Sequence, residues 1–111
     1  MIEIDIEFIK GVLVVRLEGH LNKENVKSVK DSLISIIKDG GIKYLMFNLT
    51  DSVLEEKIDM FDECNKLIKK NKGKMYICGF DHKIENIITN NYYTVENVSN
   101  ELSILNNIEA C

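Results

Sequence analysis

Proline is absent from these 111 residues. Chain breaks are therefore read from Lys10-Gly11, Gly40-Gly41, Lys72-Gly73 and Asn90-Asn91. Paired cysteines are absent as well: Cys64, Cys78 and Cys111 are odd in number, widely spaced and form no CxxC. That pattern points to reduced thiols in a cytoplasmic protein. Basic charge is in deficit, with Lys+Arg 14 against Asp+Glu 18, a formal charge of -4. A general nucleic-acid binder is thereby disfavoured. No apolar run approaches the roughly 20 residues of a membrane span. The opening Met1 to Glu7 alternates acidic and apolar residues, without the basic region of a signal peptide. No Gly-rich phosphate loop and no GxSxG occur. His20 and His82 stand alone, outside any HxxxH or HExxH, so no metal and no cofactor are expected.

Apolar residues make up 45% of the chain, enough for one core and one domain over residues 1–111. Ile42 to Asn71 organises the rest. Ile42 to Leu49 reads as a buried strand. Thr50-Asp51-Ser52 reads as a polar corner, and from Val53 the spacing of Leu54, Ile58, Phe61, Cys64 and Ile68 predicts a helix with one stripe inward. Upstream, Ile2, Ile4, Ile6 and Phe8 alternate with Glu3, Asp5 and Glu7, as in a half-solvated strand. A tight turn at Lys10-Gly11 joins it to Val12–Leu17 as a hairpin. Asn22 is a good N-cap, with Glu24 in the first turn. Val26, Val29, Leu33, Ile36 and Ile37 then repeat at helical spacing up to Gly40-Gly41.

Downstream, Met75 to Cys78 is a short buried strand. Asp81 caps a helix carrying Ile84, Ile87 and Ile88, and Tyr92 to Val95 reads as a strand. Asn97 caps a last helix with Val98, Leu102, Leu105 and Ile108 inward. The order β β α β α β α β α implies an α/β fold, in which an N-terminal β-hairpin leads into parallel strands joined through helices. Cys64 and Cys78 fall in apolar patterns and are expected to be buried and unpaired, with Cys111 exposed.

Particular segments in this order resemble the STAS domain, the fold of bacterial anti-sigma-factor antagonists. Val14 to Asn22 resembles that family's strand-Gly-x-Leu-Asp passage into the first helix, with Asn22 in place of Asp. Ile42 to Leu49 resembles its central strand, ending in Asn48-Leu49. Gly73 to Gly79 resembles its next strand, and Asn97 to Leu105 its closing helix. The resemblance implies a single STAS-type domain that binds a protein and catalyses nothing. The implied partner is an anti-sigma factor or a related, kinase-like regulator. It also implies a phosphoacceptor in an Asp-Ser-Ser/Thr-Gly motif at the start of the second helix, where phosphate would add repulsion and desolvation cost.

That motif is missing here. Counting back from Gly73 puts Glu55 and Glu56 at its hydroxyl positions. Counting forward from Asn48 puts Lys57 and Ile58 there, and a shortened loop puts Asp51-Ser52 there. Ser52 is thus the candidate phosphoacceptor, set against a simpler reading as an N-cap bonded to amides near Leu54 or Glu55. Glu55 and Glu56 are read first as stabilising a helix dipole. Glu55, Asp59, Asp62 and Glu63 form an acidic stripe whose like-charge pairs only Lys66 relieves nearby. The expected partner surface is Asn22, Thr50, Asp51, Ser52, Glu55, Glu56 and Asp59. The alternative is a STAS-like scaffold subunit of a larger complex that never cycles through phosphorylation.

Overall fold

The computed structural model describes residues 2–54 and 58–79. The elements expected beyond Gly79, together with His82 and Cys111, lie outside the described residues. Strand β1 (Ile2–Ile9) turns back into β2 (Val12–Leu21) through Lys10 and Gly11. Both turn residues have positive φ, 51° and 82°. This is the backbone of a type I′ hairpin turn, whose twist matches that of the flanking strands, and glycine takes it without a Cβ clash. Helix α1 (Lys27–Gly40) then leads to β3 (Tyr44–Leu54), and α2 (Met60–Lys70) leads to β4 (Lys74–Cys78).

Among the described residues the sheet order is β1-β2-β3-β4. β1 pairs antiparallel with β2, while β2 with β3 and β3 with β4 are parallel. A parallel pair needs a crossover, and α1 and α2 supply the two that are required. The expected hairpin and parallel strands are therefore present, in one α/β domain.

The sheet separates two apolar clusters. The larger joins Leu13, Val15 and Leu17 of β2 with Leu45, Phe47 and Leu49 of β3, under Val29, Leu33 and Ile37 of α1 and Phe61, Cys64 and Ile68 of α2. The smaller lies on the opposite face and holds Val12, Val14, Met46 and Cys78. Burial on both faces explains why β2 and β3 read as continuous apolar runs instead of alternating ones. Phe47 and Phe61 meet edge to face, with centroids 4.9 Å apart, and tie α2 to the central strand.

Four expectations change. β3 does not stop at Leu49: it runs through Thr50-Asp51-Ser52 to Leu54, and α2 begins only at Met60. The physical reason is that β2 also runs on, to Leu21, and offers a ladder that pairs Glu18 with Asp51 and Leu21 with Leu54. A register shift between Arg16 and Glu18 absorbs the extra residue as a bulge. Second, Asn22 does not start α1 directly, because a turn over 23–26 comes first. Third, Ile36 of α1 is exposed instead of inward. Fourth, Ile4, Ile6 and Phe8 are 40%, 38% and 61% exposed. Among the described residues β1 is a rim strand, and α1 and α2 pack over β2 and β3 instead.

Cys64 and Cys78 are buried thiols outside any disulfide, as expected. Burial pushes the Cys64 thiol up from 9.0 to about 12; Glu63 adds to the rise and Lys30 opposes it. A raised folded-state value keeps the thiol neutral in the native protein. Its contribution to stability is fully present below about pH 9 and is lost as pH rises towards 12. Urea unfolding followed across that window should show the decline, and Cys64→Ala should flatten it. Phe47→Ala should cost about 3–5 kcal/mol in the same assay at neutral pH, since a fully buried ring and its edge-to-face partner are both affected.

Candidate functional site

The carboxyl edge of the parallel strands collects most of the expected partner residues. Leu21 and Leu54 are ladder partners, so Asn22 emerges beside the end of β3. Asn22 Oδ1 accepts the backbone N–H groups of Glu24 at 3.0 Å and Asn25 at 2.9 Å. Asn25 Oδ1 in return accepts the Asn22 N–H at 3.0 Å. This reciprocal pair has the logic of a capping box, with Asn in the place of Glu or Gln. Asn25 Nδ2 also donates to the His20 carbonyl at 2.6 Å, which pins the turn to the end of β2. Sequence reasoning assigned the cap to Asn22 and overlooked Asn25; the Asn-x-x-Asn spacing was the available signal.

Thr50 and Asp51 are exposed on the extended part of β3. Asn48 Oδ1 accepts both the Thr50 N–H at 3.0 Å and the Thr50 hydroxyl at 2.6 Å. Polar groups that read as a corner are thus satisfied inside a bulged strand. Gly79, with φ 77°, lies so close to Thr50 that a Cβ there would meet the Thr50 backbone. Glycine at 79 lets the end of β4 close against this part of β3.

Ser52 is not an N-cap. It sits in β3, only 8% exposed, and its hydroxyl donates to the Leu49 carbonyl at 3.0 Å. Period-2 alternation turns Ser52 and Leu54 inward while Asp51 and Val53 face out. Glu55 and Glu56 lie outside the described residues.

Asp59 is exposed immediately before α2, and no side-chain bond caps that helix. Its carboxylate instead meets Lys30 of α1, with Nζ 3.3 Å from both oxygens. Lys30 and Asp59 therefore bridge the two helices at their N-terminal ends. Between them runs a groove of about 470 Å³ with Val26 and Ile58 in its lining. Lys23, Lys27 and Lys30 line it from the α1 side, Asp59 and Asp62 from the α2 side. The acidic stripe is met by a tertiary lysine as well as by Lys66, whose Nζ is 3.9 Å from Glu63.

Such a surface can recognise a polypeptide through apolar contact and mixed charge. Among the described residues, no group of three or more His, Cys, Asp or Glu could hold a metal ion. Among them, too, no helix is long and apolar enough to cross a membrane.

Comparison with known proteins bears on the family and the fold. The family model of the STAS domain matches residues 3–91. The fold is similar to that of the anti-sigma factor antagonist SpoIIAA in its unphosphorylated form, with a TM-score of 0.75 and 13% identity over 96% of this chain and 100% of that one. It is also similar to the Bacillus cell fate determinant SpoIIAA in the phosphorylated form, with a TM-score of 0.72 and 11% identity over 94% of this chain and 97% of that one. At such identities the likeness is one of fold.

Two substitutions test the local construction. Asn22→Ala removes an acceptor of two backbone amides and should lower stability by about 0.5–2 kcal/mol. Ser52→Ala removes a single buried hydrogen bond and should cost about 0.5–1.5 kcal/mol. Urea midpoints at unchanged slope give both values.

Proposed function

The chain belongs to the STAS domain family, and from that premise we propose that it is a non-enzymatic protein-binding regulator. On this reading it is one domain over residues 1–111 that works in the bacterial cytoplasm and controls transcription as an antagonist of an anti-sigma factor or a related regulator. The observation that carries the reading is the fold shared with an anti-sigma factor antagonist across nearly the whole chain. The partner surface is Asn22, Thr50, Asp51, Ser52, Glu55, Glu56 and Asp59, with the adjoining groove between α1 and α2. Exposure of Thr50 and Asp51 on the extended part of β3, and of Asp59 in the lining of that groove, supports the assignment. Within it, Ser52 contributes backbone and shape, since its side chain is turned inward.

One observation favours the second reading, a phosphorylation-independent scaffold subunit of a larger signalling complex. The Ser52 hydroxyl is buried and engaged with Leu49, so a kinase would have to open the end of β3 to reach it. A phosphate there would bring nearly two negative charges to a place without room for them.

The two readings separate by experiment. A partner captured on the immobilised chain should lose at least about tenfold in affinity, roughly 1.4 kcal/mol, when Glu56→Lys and Asp59→Lys are combined. Unchanged affinity would move the interface elsewhere. Incubation of the complex with ATP should leave Ser52 without phosphate if the scaffold reading holds. Stoichiometric phosphate on Ser52 with release of the partner would establish the switch instead.

A further inference from the structure

Among the described residues, the rim of the sheet farthest from β4 is strand β1. β1 is eight residues long, pairs with β2 without a register shift and contains no proline. All six residues from Glu3 to Phe8 are exposed. Among the described residues no strand pairs with its outer edge. An edge of this kind presents a row of backbone donors and acceptors to any chain that can lie alongside it.

The two faces of β1 differ sharply in chemistry. Ile4, Ile6 and Phe8 share the face of Leu17, Val15 and Leu13, their partners on β2. Glu3, Asp5 and Glu7 share the other face with Arg16 and Glu18. There a concavity of about 310 Å³ is lined by Glu3, Asp5, Arg16, Glu18, Asn48 and Asp51. Arg16 bridges Asp5 at 2.7 Å and Glu7 at 2.8 Å. One guanidinium thus stands among five carboxylates.

We propose that the outer edge of β1 accepts an extended segment of a partner protein in which apolar residues alternate with Lys or Arg. Backbone pairing would extend the sheet by one strand. The apolar row would cover Ile4, Ile6 and Phe8, and the basic row would meet Glu3, Asp5 and Glu7. A second copy of this chain fits poorly. In any antiparallel β1–β1 register that keeps the apolar rows on one face, acid falls opposite acid, which destabilises a strand pair. Charge complementarity therefore selects a basic, heterologous strand. The concavity reaches the carboxyl edge of β3 at Asp51, but the backbone edge that would accept the strand is that of β1, with β2 between it and β3.

The test titrates the full chain with the synthetic peptide Lys-Val-Lys-Ile-Lys-Val-Lys. An isomer with its four lysines grouped, and an analogue with Glu for Lys, serve as comparisons. The alternating basic peptide should bind at least about tenfold more tightly than either, and should slow amide exchange in β1 on binding. Ile6→Lys should abolish the preference, and Asp59→Lys should leave it intact. Equal affinity for the grouped isomer, or loss of the preference in Asp59→Lys, would overturn the proposal. So would unchanged exchange in β1 of the unsubstituted chain, a result independent of how any variant folds. Dimerisation of the chain with protection of β1 would overturn it in favour of a second copy.

Discussion

Strand β3 is covered on both faces and paired along both edges over its first half. Leu45, Phe47 and Leu49 lie under the helices, and Met46 is buried on the opposite side. β2 and β4 supply the ladders on its two edges from Tyr44 to Asn48. A parallel sheet with polar groups exposed at this point would lose both its hydrogen bonds and its apolar burial. Everything else takes its place from this strand. α1 and α2 are the two crossovers its parallel neighbours require, and both lay their apolar stripes on the Phe47 side.

The second half of β3 behaves differently because its neighbours run out unequally. β4 ends opposite Asn48, while β2 continues opposite Asp51 to Leu54. The extension is therefore a strand paired on the β2 side, with Thr50 and Asp51 exposed and Ser52 turned in. This asymmetry creates the candidate site. Asn22 emerges from the extended end of β2, Asp59 stands at the start of α2, and the Lys30–Asp59 ion pair spans the groove between them. Since Asp59 is exposed, that pair contributes modestly to stability. Its clearer effect is to set the charge pattern of the groove. At the opposite rim, β1 lies outside the cover that α1 and α2 give β2 and β3, and Ile4, Ile6 and Phe8 are exposed.

What could be read from residue order follows local physics. Alternation in β1, the Lys10-Gly11 turn and the period of Val29, Leu33 and Ile37 are properties of neighbouring residues, and each appears where expected. The burial of Cys64 and Cys78 was legible for the same reason. Thr50-Asp51-Ser52 misled because a polar triplet after an apolar strand is ordinarily a turn. Its reading as strand depends on β2, a segment some thirty residues earlier, running on to offer a ladder. Ser52 then exchanged an expected cap for a bond to Leu49, and the start of α2 moved to Met60.

By itself the sequence determined the class of fold, the hairpin, the α/β alternation and the likeness to the STAS family, because periodicity, turn chemistry and segment order are written along the chain. Only the tertiary structure decided which apolar faces are covered, where β3 ends, that Lys30 meets Asp59, and that Arg16 stands among the acids of β1. Those outcomes depend on register and on the packing of segments far apart in sequence. A one-residue shift of register sends every side chain of a strand to the opposite face, and no local pattern specifies it.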